Sequence, residues 1–381
     1  MTTTQIRGPL AASVAPFVDE RVIAGAVLMT GSSDGVSVVE TVGYASIDAR
    51  APMQPGTLFW VASNSKQITG AALMLLVDEG KITLDDPVAD YLPEFGAQWF
   101  VAEEDDERKT LRKPSRPVNL RDLVSHTGGI LPGFHDGRLN AGTLRERTLA
   151  CALTPLRFEP GTQWEYGNGG FEVAGRVIEI VSGQALETFL QTRLFGPLGM
   201  TDTTFWPSDE QIGRLATPYT PGADGQGLSE GKLPFTYPLS GMSGSPSPGG
   251  GLFSTAPDCF RFCRMVVGGG VFESRRLLSE GAVRVMTTTQ TGTLLSAPDN
   301  DNGYGLGWHT TSRDEGKPWP LGIGVAHHGG AYGTNMWIDP QQNRINVFMV
   351  AQTGWQPNYD SGQILRAFWG ASDQALGEDK N

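Results

Sequence analysis

Ser63 and Lys66 stand three residues apart in Trp60-Val61-Ala62-Ser63-Asn64-Ser65-Lys66, at the front of the apolar run Gln67 to Glu79. Ile68, Ala71, Ala72, Leu75 and Leu76 recur at helical spacing, while Leu73, Met74 and Val77 make the other faces apolar, so the pattern predicts a helix buried all round and stopped by Gly80. Positions three apart share a helix face, which puts a hydroxyl and an amine within reach of each other. A serine hydroxyl becomes an effective nucleophile when a base takes its proton, and a lysine serves as that base when burial or nearby cations lower its pKa. The positive end of a helix also favours the charge that develops on the attacking oxygen. The spacing alone is a short signal. Ser229 and Lys232 repeat it in a Gly-rich loop, and a capping serine beside a solvated lysine would read the same way.

The composition narrows what the pair could serve. At 381 residues the chain can build a large core in two domains, or in one domain with a large insertion. Gly 50 and Pro 25 point to long shaped loops. A net charge of −12 argues against nucleic acid, which is bound by clustered Lys and Arg. No run reaches the roughly 18 apolar residues of a membrane span, so no span is expected. Met1 to Pro16 holds one arginine and no long apolar segment, which differs from a secretory signal and points to the cytoplasm unless a leader was trimmed. Cys151, Cys259 and Cys263 have no histidine beside them and are expected as buried reduced thiols; neither a metal nor a cofactor is expected.

Leu10, Val14, Phe17 and Val18 predict a first amphipathic helix, and Ala26 to Thr30 with Val36 to Val42 predict a strand hairpin. Between those strands Gly31-Ser32-Ser33-Asp34-Gly35 matches Gly-x-Ser-x-Gly, but it joins strand to strand where that signature needs strand, elbow and helix, so it reads as a turn. Val88 to Phe95 reads as a short helix, and the acidic then basic insertion Glu103 to Arg116 as a solvated hairpin or loop. Asn119 to Thr127 reads as a short helix ending at Gly128-Gly129, with His126 as a hydrogen-bonded structural residue. Further helices are expected at Phe171 to Val181, capped by Gly183, and at Leu186 to Leu194. Pro207 to Gly251 is loop-rich, Leu252 to Val267 resumes a helix, Asn335 to Asp339 and Arg344 to Val350 alternate like strands, and Ile364 to Trp369 suits a closing helix. Strands at both ends with helices between suggest an α/β sheet domain, residues 1–84 and 207–381, interrupted by a mostly helical domain, 85–206.

Two clusters give the serine and lysine their context: Pro160-Gly161-Thr162-Gln163-Trp164-Glu165-Tyr166-Gly167-Asn168 before a helix, and Gly324-Val325-Ala326-His327-His328-Gly329-Gly330-Ala331-Tyr332-Gly333 before the last strands. With Ser-x-x-Lys, Tyr-x-Asn and His-x-Gly in this order the chain resembles the penicillin-binding-protein-like serine hydrolases, in the branch of class C β-lactamases, D-alanyl-D-alanine peptidases and family VIII carboxylesterases. Gly56 to Phe59, Leu120 to Thr127, Gly250 to Ala256 and Gly303 to Trp308 look like that branch too, so the likeness runs from about Leu10 to about Trp369. It implies a β-lactamase/transpeptidase-like fold, an antiparallel sheet flanked by helices, with the active site in the cleft between the two domains. It also implies that Ser63 is the acylated nucleophile, that Lys66 shares its proton, and that Tyr166 relays it and later activates water. By the same likeness Asn168 binds the acyl side, and the N–H groups of Ser63 and Ala331 form an oxyanion hole, with Gly329 and Gly330 small because substrate approaches closely. His328 fits the motif better than His327, which reads as structural, and Trp308 is placed on the site rim, with a buried core position as the alternative.

The departure from the lactamase pattern is His328, where many members carry lysine to attract a substrate carboxylate. A mostly neutral imidazole, able to donate a hydrogen bond, favours neutral esters, and lactamase activity would then rise as falling pH protonates it. The expected activity is that of a carboxylesterase on small to medium acyl esters. A β-lactamase or D-amino-acid peptidase is the nearest alternative. A non-catalytic ligand-binding descendant is the alternative from another class, and the intact Ser63, Lys66 and Tyr166 set argues against it. The expected partner is a small ester or amide, and nothing in the sequence sets an oligomeric state.

Overall fold

The computed structural model describes residues 8–131, 142–235, 239, 245–294, 303–311 and 322–378. Residues 1–7 of the N-terminal segment, and 236–238 and 240–244 of the loop-rich stretch, lie outside the described residues.

An eight-stranded antiparallel sheet organises the chain, in the order Gly303–Tyr304, His309–Thr310, Ala326–Gly329, Asn335–Asp339, Arg344–Met349, Gly25–Ser32, Gly35–Ser46, Ala51–Pro52. Its first and last strands in sequence meet at the centre, where Val27 faces Met349 and Met29 faces Val347. Side chains alternate across a strand, so this sheet has two apolar faces. Ala26, Leu28, Trp337 and Phe348 pack under the helices Pro9–Asp19 and Ser361–Glu378, with Leu10, Val14, Phe368 and Trp369. Val27, Met29, Met336, Ile338 and Val347 face the opposite way, into the larger core.

That larger core is built around the helix Ser65–Asp78, in which every residue from Ser65 to Leu76 is buried. The apolar faces read from the sequence explain this, since a helix without a polar face needs neighbours all round. The helices Gly169–Ser182 and Glu280–Thr287 pack against it, and Ala256–Val267 contributes to the same core from its seat on the sheet. Close approach is achieved with glycine at two points: a Cβ on Gly70 would stand 2.4 Å from the Leu306 carbonyl oxygen, and one on Gly170 2.2 Å from that of Leu123. Gly303 to Trp308 is thereby laid directly across the central helix.

The acidic then basic insertion is a hairpin, Phe100–Glu104 against Lys109–Arg112, bearing exposed ion pairs such as Lys109 with Glu104. Three local expectations are corrected. Phe253–Ser254 is not helical but pairs with Phe59–Trp60, so the helix begins only at Ala256, with Thr255 as its cap. Val88–Asp90 and Pro93–Ala97 are two 3-10 turns, because Pro93 follows too closely for an α-helix to continue. The helix at Leu120–Ser125 ends at His126, which takes the left-handed conformation with φ 64°, two residues before the glycines. The three cysteines are buried and unpaired. Among the described residues no helix is long and apolar enough to cross a membrane, and no cluster of His, Cys, Asp or Glu could hold a metal ion.

Candidate active site

Ser63 lies in the 3-10 turn Ala62–Asn64, immediately before the central helix rather than in its first α-turn. Ala62 precedes it with φ 47°, a conformation that costs a non-glycine residue roughly 1–2 kcal/mol and has to be held by its surroundings. The holding bonds are present. Val61 donates to the Leu252 carbonyl at 3.0 Å, and Ser65 Oγ donates to that of Ala62 at 2.6 Å. Thr334 Oγ1 donates to the Val61 carbonyl at 3.2 Å and accepts from Asn64 Nδ2 at 3.2 Å. The turn that carries Ser63 is thus tied to the connection between the strands Ala326–Gly329 and Asn335–Asp339.

Lys66 is fully buried. Its Nζ reaches Ser63 Oγ at 3.2 Å, Asn168 Oδ1 at 2.7 Å and the Gly249 carbonyl at 2.7 Å. Burial lowers its pKa from 10.5 to about 7, with the carboxylate of Glu172 opposing the shift. Tyr166 donates its phenol proton to Ser63 Oγ at 2.8 Å, and burial pushes its own pKa up to about 12. These two values divide the roles. The carbonyl and amide oxygens that Lys66 meets can only accept, so a neutral amine spends both N–H bonds on them and turns its lone pair to Ser63. The serine hydroxyl can then accept from Tyr166 and donate to Lys66.

An open cavity of about 570 Å³ lies over Ser63, lined by Trp164, Tyr166, His309, His327, His328, Gly329, Gly330, Ala331 and Asn335. Trp164, Tyr166, His309 and His328 join Tyr304 and His126 in one ring cluster, His126 lying 4.7 Å from both Tyr166 and Tyr304. Burial holds His126, His309, His327 and His328 below the usual imidazole pKa, His309 at about 3 and His327 at about 4.

The Beta-lactamase family profile matches residues 10–368. The chain belongs to the beta-lactamase family. It is 34% identical over 365 residues to protein Rv1367c of Mycobacterium tuberculosis, covering 89% of this chain and 88% of that one. It is 30% identical to lovastatin esterase of Penicillium rubens, covering 78% and 80%. Among solved structures it superposes on EstCE1, a hydrolase with promiscuous acyltransferase activity, with a TM-score of 0.78 at 23% identity over 96% of this chain and 97% of that one. Relatives named D-alanyl-D-alanine carboxypeptidase and penicillin-binding protein match as well. The family is one of serine hydrolases acting through an acyl-enzyme, and the resemblance and fold read from the sequence agree with it.

The geometry brings Ser63, Lys66, Tyr166, Asn168, His328 and Ala331 together, and it alters several details. Trp308 is not on the rim: it is 0% exposed, stacks on Phe262 at 6.3 Å and belongs to the core. Gly307 turns the chain there with φ 82° and fits against the Lys66 backbone, where a Cβ would stand 2.4 Å from the carbonyl oxygen. The tryptophan that lines the cavity is Trp164. His328 has both nitrogens engaged. The Gly329 carbonyl at 2.8 Å can only accept, which puts the proton on Nδ1, and Nε2 accepts from the Tyr304 hydroxyl at 3.1 Å. It offers the cavity a ring rather than a hydrogen-bond donor. His327 is in the wall too, stacked on His309 at 5.5 Å, rather than set apart as a structural residue. Gly330 is small because of the protein, not of the substrate: a Cβ would meet Thr334 Oγ1 at 2.2 Å and the Val61 carbonyl at 2.6 Å. Asn168 turns its oxygen to Lys66. Tyr304, His309, Asn335 and the Gly249 carbonyl escaped the sequence reading, and only Tyr304 stood in a stretch that looked like the family.

Proposed function

We propose that this protein is a carboxylesterase acting on small to medium neutral acyl esters through an acyl-enzyme on Ser63. The observation that carries the reading is Ser63 Oγ held between a buried amine with a pKa of about 7 and a protonated phenol. The cavity wall over it carries no cation among the described residues. Lys66 takes the Ser63 proton as Oγ attacks the ester carbonyl carbon, and the N–H groups of Ser63 and Ala331 receive the developing oxyanion. The C–O bond to the alcohol then breaks, and the proton passes from Lys66 through Tyr166 to the leaving oxygen. Water follows the reverse path, losing its proton through Tyr166 to Lys66 as it releases the acid and restores the serine. The cleft lies between the sheet section, 1–84 and 207–381, which supplies Ser63, His328 and Ala331, and the helical section, 85–206, which supplies Trp164 and Tyr166.

The choice of ester over lactam or peptide rests on the wall. A carboxylate-bearing substrate gains from a fixed cation, and a buried imidazole held neutral does not provide one. Because His328 stays neutral well below its usual pKa, the rise in lactamase activity at lower pH that the sequence suggested is not expected. The test is a side-by-side assay: p-nitrophenyl acetate or butyrate is expected to show a higher kcat/KM than a chromogenic cephalosporin at neutral pH, and a fluorophosphonate probe is expected to label Ser63. A cephalosporin turned over faster than every short ester would replace this reading with the lactamase one.

A further inference from the structure

Arg147 and Glu172 have no place in the reaction above, yet they form an enclosed ion pair, 5% and 1% exposed, directly behind it. Two guanidinium nitrogens of Arg147 reach Glu172 Oε2 at 3.0 Å, and Ser247 Oγ donates to Oε1 at 2.6 Å. Arg147 also donates to the Pro246 carbonyl, so both partners grip residues 246 and 247. The two residues that follow hand this grip to the central helix. Thr69 Oγ1 donates to the Pro248 carbonyl at 2.8 Å, and Lys66 Nζ to that of Gly249 at 2.7 Å. Gly175, one turn after Glu172, lies so close to Pro248 that a Cβ would stand 2.3 Å from its ring.

We propose that Arg147 and Glu172 are positioning residues for Lys66: they clamp residues 246–249 so that the Gly249 carbonyl aims the amine at Ser63, and they present a carboxylate to that amine from behind. The proposal rests on Lys66 being the base for Ser63. The groups packed around Lys66 leave Glu172 as the source of charge: Tyr166 is held protonated, while His126, His309 and His328 are held neutral, all by burial. Burial pushes the Glu172 carboxyl upward as well, and the Arg147 guanidinium and Ser247 hydroxyl beside it act in the opposite direction.

The experiment is the pH profile of kcat/KM for p-nitrophenyl butyrate, with fluorophosphonate labelling of Ser63 as a separate readout. Wild-type labelling and an acid limb near pH 7 are the expected starting point, and their absence would remove Lys66 as the base whatever the pair does. Glu172→Gln is expected to move the limb to lower pH by about half a unit or more, because a negative neighbour favours the charged amine. Ser247→Ala leaves the contact between Arg147 and Glu172 and loosens the clamp, so kcat is expected to fall roughly ten-fold or more. Since Glu172→Gln leaves a buried guanidinium without its carboxylate, the double variant Arg147→Met, Glu172→Met is included as a well-packed apolar replacement. It is expected to move the limb in the same direction. A folded double variant with wild-type kcat and limb overturns the proposal, as does wild-type kcat in Ser247→Ala.

Discussion

Lys66 is where the cost of burial becomes chemistry. Holding its pKa near 7 instead of 10.5 means that a proton on this amine is worth about 5 kcal/mol less in the folded chain than in water. The sign follows from proton counting. Between about pH 7 and 10.5 the unfolded chain binds this proton and the folded one does not, so this residue makes stability rise with pH across that window and adds no slope below it. Lys66→Met is expected to abolish turnover and to remove that slope: denaturant titrations at pH 7 and pH 9 should show the wild type gaining on the variant by roughly 1.4 kcal/mol per pH unit. Equal pH slopes for the two proteins would mean that Lys66 is not neutral in the fold. Tyr166→Phe should lower kcat by about two orders of magnitude or more with little change in binding, and intact-mass measurement of the acyl-enzyme during turnover shows which step has slowed. Ser63→Ala should lose all turnover and keep its fold, whereas Ser33→Ala, in the turn that mimics a hydrolase elbow, should retain activity. The spacing of Ser63 and Lys66 on one helix face let them be paired from the chain, whereas Tyr166 was reached only through the family resemblance of Tyr166-Gly167-Asn168. Trp308 was misplaced because a tryptophan one residue from a turn carries no sign of which way the turn sends it. Glu172 and Arg147 were invisible because their partners are far away in sequence.

At the level of elements, the long ones could be read and the short ones could not. The helices Pro9–Asp19, Ser65–Asp78 and Gly169–Ser182 and the strands that flank them carry enough repeats for a period to show. Phe253–Ser254 is two residues long, so no alternation exists to separate it from the helix after it, and only its pairing with Phe59–Trp60 defines it. The glycines follow the same division between what a pattern shows and what packing decides. Gly70 looks like a weak point in a helix, but it is the site where Leu306 meets the backbone of the element that carries Lys66. Gly70→Ala should therefore destabilise by about 2 kcal/mol or more through overpacking and reduce activity by shifting Lys66. Gly370, in the closing helix, has nothing within 4 Å of the point where a Cβ would stand, and Gly370→Ala should stabilise by up to about 1 kcal/mol. Urea titration of the two variants checks both signs, and a neutral Gly70→Ala would show that the Leu306 contact yields easily.

On the scale of the whole molecule, charge and cavity act together on substrate choice. The chain carries a net charge of −12, and the described lining of the cavity holds no Lys, Arg, Asp or Glu, so no side chain of that described lining offsets the general field with a fixed positive charge. An anionic substrate approaching Ser63 then meets repulsion that salt can screen, over a distance of about 30 Å at 0.01 M and about 10 Å at 0.1 M. A neutral ester is indifferent to that field. The comparison that isolates the effect uses one leaving group and two acyl groups of similar length: p-nitrophenyl butyrate, which is neutral, and p-nitrophenyl succinate, which carries a carboxylate at neutral pH. Raising ionic strength from about 0.01 to about 0.3 M should leave kcat/KM for the butyrate unchanged within error and raise that for the succinate by about two-fold or more, because like-charged encounter is a rate term that screening relieves. The succinate should still be the poorer substrate at high salt, since screening removes repulsion without supplying an anchor for the carboxylate. If its kcat/KM fell as salt was added, a cation near the cavity would be attracting it, and the preference for neutral esters would lose its electrostatic basis.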